Sequence, residues 1–243
     1  MKAWWFQTRA EVQMNIRRGE TLLLTLGIPI LLLVFFSLTH VTTLPPGGRI
    51  NFVAPGILAL CVLSTSLVAL SISTGFERSY GVLRRLHVTP LGQRRMIAAK
   101  ISAVVVTEVI QEVVLGLVAL ILHWKPRGGV NGGLEVAAAL LLGSAGCAGI
   151  GLLLAGRLRA EVNLAAANGL YLILLLVSGI VVPLSSMPSV VRHVALYVPS
   201  GAMADALHLV LGHAQHVSTT DWWSLGVWAI VAPLLAARTF RFD

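Results

Sequence analysis

Between Glu20 and Arg49 the chain carries no charged residue, and between Arg49 and Glu77 it again carries none. No water-soluble fold tolerates two such tracts in succession, because a surface helix must show a charged or polar face to solvent. A helix of roughly 20 apolar residues, by contrast, has the length needed to cross about 30 Å of hydrocarbon. Composition agrees: charged residues make up 12% of the chain, about half of what a soluble domain carries. Read as apolar tracts bounded by charge, the sequence predicts an all-α polytopic membrane protein with six transmembrane helices. These run from about Thr21 to Leu38, Phe52 to Thr74, Ile97 to Leu122, between Glu135 and Arg157, Leu164 to Val182, and Trp222 to Ala237. The last is the shortest, and Trp222, Trp223 and Phe240 serve as its interfacial anchors. No tract is long or polar enough to form a second, soluble domain, so residues 1–243 are expected to form one.

Lys2, Arg9, Arg17 and Arg18 precede the first span, as they would in a signal peptide. Its apolar core exceeds the usual 7–15 residues and no small-residue cleavage site follows, so it is read as a retained helix. With the N-terminus in the cytoplasm, that side collects Lys2, Arg9, Arg17, Arg18, Arg78, Arg84, Arg85, Arg94, Arg95, Lys100, Arg157, Arg159, Arg238 and Arg241. The other side collects Arg49, Lys125, Arg127 and Arg192. This asymmetry, fourteen against four, predicts both termini inside. It also accounts for the net charge of +8 through orientation and anionic headgroups, without any nucleic acid.

Two cytoplasmic segments are more than connections. Residues 1–20 read as an amphipathic interfacial helix, with Trp5, Val12 and Ile16 on one face and Gln7, Glu11 and Arg18 on the other. The loop 75–96 contains a short helical pattern in which Val82, Leu83 and Leu86 share one side and Arg84 and Arg85 the other, with Pro90 ending it. A short helix with an apolar edge suits a groove on a soluble partner.

The run Glu77-Arg78-Ser79-Tyr80-Gly81-Val82-Leu83-Arg84-Arg85-Leu86-His87-Val88-Thr89-Pro90 resembles the signature loop of ABC-2 type transporter permeases, the class that includes daunorubicin-type drug efflux subunits. The family pattern is close to E-R-E-x-G-T-L-x-x-L-x-x-T-P. Ser79 stands here in place of its second acidic residue and Val82 in place of its threonine. The resemblance extends to layout: an N-terminal interfacial helix, six spans, and short external re-entrant helices before the last span. Residues 183–216 fit that last element, with Pro183, Pro188 and Pro199 interrupting apolar stretches. It implies a coupling loop in which Glu77, Arg78, Gly81, Leu83, Arg84, Leu86, Thr89 and Pro90 meet a separate ABC ATPase subunit. It also implies a second permease subunit, either a homodimer mate or a sister chain, and export of a hydrophobic or amphipathic substrate across a bacterial inner membrane. The chain has no G-x-x-x-x-G-K-[ST] phosphate loop, so ATP and Mg belong to the partner. No cofactor, metal or catalytic residue is expected on this chain.

Glu108, Gln111 and Glu112 interrupt the third span, the two carboxylates one turn apart. Charge at mid-membrane costs about 2.5–3.5 kcal/mol on insertion scales, so such side chains face protein or water. They either line the translocation path or tie the helix to a neighbour such as Asn163 or Asn168. The same pair carries two rival functions, a proton-coupled secondary transporter and an intramembrane lipid-modifying enzyme. Gly143, Cys147, Gly151 and Ala155 recur every four residues and predict close helix packing, within the chain in preference to a subunit interface, the alternative that the spacing leaves open. Cys61 and Cys147 lie in apolar tracts and read as packing residues. His193, His208, His213 and His216 read as interfacial side chains, since a closed zinc site needs four ligands.

Overall fold

In the computed structural model, residues 2–17, 19–39, 49–83 and 92–240 are described, and every regular element among them is helical. Helix α1 covers Lys2–Arg17 and α2 covers Gly19–Leu38, apolar over Thr25–Leu38. Helix α3, Arg49–Ser79, runs on through a π-helical turn at Ser64–Ala69. Then come α4 (Gln93–Ile121), α5 (Gly129–Ala155) and α6 (Ala160–Val177). A 3₁₀ turn at Leu184–Ser186 leads to α7 (Ser189–Tyr197) and α8 (Pro199–Gly212), and α9 (Thr219–Thr239) follows. Helices α3, α4, α5, α6 and α9 are each long and apolar enough to cross a membrane; the bent pair α7–α8 raises that number to six. Five of the six expected spans therefore coincide with such helices, with different ends, whereas the described apolar part of α2, Thr25–Leu38, is shorter than a span. Helix α3 continues to Ser79, α5 begins before Glu135, and α6 runs from Ala160 only to Val177, where Gly179 turns the chain at a φ of +78°.

Burial ranks the helices. The most apolar window of α3 is 83% buried against 22% for α6, so α3 is the central element and α6 lies at the edge. Leu172, Ile173 and Leu176 on α6, like Val109, Val113 and Leu117 on α4, face outward. Such contiguous apolar surface suits hydrocarbon and not water, and the chain is a polytopic membrane protein. Helix α5 packs along α9 in the most extensive helix pair, and α1 lies across α4. A main core gathers around Leu58, Leu63, Leu115, Met203 and Leu225. A smaller one joins Leu70, Leu83, Met96, Ile97, Leu152 and Phe240 beside the end of α3.

Before the last span the chain folds sharply, with α7 and α8 meeting at 96°. Pro199 starts α8, and a side chain at Gly201 would sit 2.1 Å from the Ala195 carbonyl oxygen. Only glycine lets the two short helices meet this closely. The indole Nε1 of Trp228 on α9 donates to the Tyr197 carbonyl at 2.7 Å, which satisfies an open C-terminal carbonyl of α7.

Candidate functional site

A cavity of about 670 Å³ opens between α2, α3, α4 and α6 and is closed at one end by α1. Its walls are mainly apolar, with Ile28, Pro29, Leu60, Val68, Ile72 and Val104 among them. The π turn of α3 supplies Ser64, Thr65, Val68 and Ala69 to one wall. A π turn adds a residue to a helical turn and re-aims the side chains beyond it, and such turns gather at functional sites.

The α1 end of the cavity is built from charge. Lys100 of α4, its side chain 1% exposed, lies between two carboxylates. Its Nζ is 3.0 Å from Glu11 Oε1 on α1 and donates to Glu77 Oε2 on α3 at 2.6 Å. Gln7 Nε2 donates to the same Glu11 oxygen at 2.9 Å. A lysine this deep is tenable only when paired and hydrogen-bonded, and here one ammonium joins three helices. Phe76 and Tyr80 stack nearby with centroids 6.1 Å apart, and Tyr80 is 74% exposed. Trp5 and Phe6 on the opposite side of α1 face outward. The helical wheel set Trp5 opposite Glu11, and the Glu11 side is turned into the protein; Ile16 and Arg18, placed on the two faces with them, lie outside the described side chains.

At the far end Gln111 stands behind the wall. Its Nε2 donates to Thr25 Oγ1 at 3.0 Å and its Oε1 accepts from Thr65 Oγ1 at 3.0 Å, so one amide joins α2, α4 and α3. Glu108 and Glu112, expected on the path with it, are not among the residues that line the cavity. Glu108 Oε1, both carboxylate oxygens of Glu112 and the Ser144 hydroxyl are buried, and among the described residues none of them has a partner in good hydrogen-bond geometry, although Ser144 lies beside Glu108. Neither asparagine proposed as a link reaches them. Asn163 exchanges two 2.8 Å hydrogen bonds with Ser71, and Asn168 donates to the Leu164 carbonyl.

Of the eight residues expected at the coupling loop, four are described. Glu77 belongs to the cavity floor. Arg78 Nη2 donates to the Leu158 carbonyl at 2.6 Å, which ties the end of α3 to the α5–α6 connection. Gly81 turns the chain at a φ of +72°, a conformation other residues adopt only with strain. Leu83 departs from expectation: it is fully buried in the smaller core and presents no edge to a partner. Val82 beside it is exposed, as is Tyr80. Arg84, Leu86, Thr89 and Pro90 lie outside the described residues. Lys100 and Thr65 escaped the sequence reading as site residues, one counted only as a loop charge and the other lost in an apolar tract.

Gly143 and Gly151 face α8 and α3, with Met203 and the Leu67 carbonyl against them, so the small-residue stripe packs inside the chain. The histidines are spread over separate partners. His208 stacks on Phe52 at 4.5 Å, His216 Nδ1 pairs with Glu135 Oε1 at 2.6 Å, and His193 and His213 reach backbone carbonyls. Among the described residues no three His, Cys, Asp or Glu side chains are grouped to hold a metal ion.

Comparison with known proteins gives one finding. The family model described as ABC-2 type transporter matches residues 2–211. The comparison with curated proteins found no match.

Proposed function

The chain belongs to the ABC-2 type transporter family, and from that premise we propose that it is the membrane-spanning subunit of an ATP-driven exporter. It moves a hydrophobic or amphipathic substrate out of the cytoplasm, using ATP and Mg held by a separate ABC ATPase subunit. It works beside a second permease subunit, as a homodimer or with a sister chain, in the bacterial inner membrane with both termini inside. Helices α2, α3, α4, α5, α6 and α9 make six crossings, and the α7–α8 bend is an external re-entrant element.

The observation that carries this reading is the position of Glu77. It lines the cavity and stands one turn before the Tyr80–Gly81 corner, where the coupling loop would begin. A partner that moves the loop therefore moves the cavity floor with it. Arg78, held to Leu158, keeps the corner at a fixed angle to the α5–α6 connection. The rival functions, a proton-coupled carrier and a lipid-modifying enzyme, draw on the unpartnered oxygens of Glu108 and Glu112. Those carboxylates are not among the described residues that line the cavity.

A mild-detergent pull-down of the tagged chain with mass spectrometry tests the proposal. An ABC ATPase subunit is expected to co-purify with the native sequence and to be lost with Val82→Asp, which alters an exposed side chain and leaves the Leu83 core intact. A chain that comes down folded and alone from its native membranes would overturn the exporter reading.

A further inference from the structure

We propose that the cavity takes amphipathic organic cations, with the positive group at the Glu11–Glu77 end and the apolar body between α2, α3 and α6. The inference rests on the exporter reading for its direction of movement but not for the binding itself. Three observations carry it. First, the described charges that line the cavity are Glu11, Glu77 and Lys100, two carboxylates to one ammonium. Lys100 engages one oxygen of each carboxylate, Glu11 Oε1 and Glu77 Oε2. No donor among the described residues reaches the second oxygen of either, and both side chains keep some exposure, 8% and 14%. In a largely apolar cavity a formal surplus of one negative charge attracts a cation and repels an anion more strongly than it would in water.

Second, four of the wall hydroxyls have already spent their protons. Ser64 donates to the Cys61 carbonyl, Ser73 to Leu70, Thr107 to Ala103, and Thr65 to the Gln111 carbonyl oxygen, at 2.9, 3.1, 3.0 and 3.0 Å. What these four groups present to the cavity is lone pairs. These four groups can solvate the donors of a protonated amine and have no proton left to offer a phosphate or carboxylate. Third, the stacked Phe76–Tyr80 pair lies at the charged end, where ring faces add cation–π attraction. The volume, about 670 Å³, lies within the range of sites for drug-sized molecules.

Tetraphenylphosphonium and tetraphenylborate, nearly equal in shape and opposite in charge, make the test. Equilibrium binding of each is measured on the full chain in nanodiscs, in excess over empty nanodiscs. Saturable binding of the phosphonium is expected, about tenfold weaker in Glu77→Gln and about two- to fivefold weaker in Tyr80→Ala, with no saturable binding of the borate. Tyr80→Ala leaves the Lys100 pairs intact, so the test stands even if Glu77→Gln fails to fold. Saturable borate binding of equal strength, or phosphonium binding unmoved by both variants, overturns the inference. A chain that captures and stimulates an ATPase yet binds no phosphonium also overturns it, while leaving the exporter reading in place. Phosphonium binding of the expected pattern without any ATPase partner supports the site and counts against the exporter.

Discussion

Lys100 shows how much one side chain can organise in a hydrocarbon setting. It has no aqueous alternative, and neither Glu11 nor Glu77 has another described cation within ion-pair distance. Removing one partner of a buried pair costs about 3–5 kcal/mol because it strands the opposite charge, whereas removing the whole set costs far less. Lys100→Met is therefore expected to lower the unfolding temperature of the detergent-solubilised chain. The triple change Lys100→Met, Glu11→Gln, Glu77→Gln should recover most of the loss. Cys61 and Cys147, both buried, provide the readout, since a thiol-reactive dye labels them only as the bundle opens. A Lys100→Met chain that melts like the native one would show that the three charges do not hold α1, α3 and α4 together. Sequence gave half of this. Helical spacing put Glu11 opposite Trp5, but the partner that turns Glu11 inward is 89 residues away on another helix. Leu83 is the same lesson: an apolar edge marks burial, and only the fold decides whether the cover is a partner or the chain's own Phe240.

Among the elements, α5 is the one whose sequence most fully determines its packing. Its glycines contact different neighbours, and the neighbours set the cost of change. A methyl group at Gly149 would lie 2.5 Å from the Pro233 nitrogen and 2.6 Å from the Ala232 carbonyl carbon, both backbone of α9. One at Gly143 would meet the Met203 sulfur at 2.5 Å, in a flexible side chain able to change rotamer. Gly149→Ala is thus expected to destabilise the bundle by about 1–3 kcal/mol, the range for overpacking, and Gly143→Ala by less. Thermal unfolding of the two variants side by side checks the order, and equal losses would mean that α9 shifts as readily as Met203. The four-residue spacing of small residues made the close contacts of Gly143 and Gly151 legible in advance, but not that of Gly149, which lies off the stripe. The π turn of α3 was not legible, because Ser64–Ala69 has the composition of any transmembrane helix and its extra residue is fixed by what packs around it. The same limit applies to α4, where spacing placed Glu108, Gln111 and Glu112 together, while in the fold none of the three lines the cavity and only Gln111 is hydrogen-bonded to residues that do, Thr25 and Thr65.

At the scale of the whole molecule, the positive-inside asymmetry and the cavity make one joint statement about sidedness. The cavity's charged end lies with α1, the end of α3 and the start of α4, segments that the count of basic residues assigns to the cytoplasmic side. If that end is cytoplasmic, the charged end of the cavity, capped by α1, lies on the side from which an exporter loads. Six crossings then put the α4–α5 turn, with Lys125, and the α8–α9 connection outside, and the α5–α6 connection, with Arg159, inside. Single cysteines placed at these positions in a background with Cys61 and Cys147 replaced by alanine report the arrangement directly. A membrane-impermeant maleimide is expected to label Lys125→Cys and Gln215→Cys in intact cells, and Arg159→Cys only after permeabilisation. Labelling of Lys125→Cys and Gln215→Cys on opposite sides would mean that an odd number of crossings separates them and that the α7–α8 bend is a broken span. Labelling of Arg159→Cys in intact cells, with Lys125→Cys protected, would invert the bundle. The charged end of the cavity would then lie outside, and it would serve release or uptake instead of loading. The charge count cannot err on one loop alone, because Arg78, Lys100 and Arg159 are held at one end of a single packed bundle through Glu77, Glu11 and the Leu158 carbonyl.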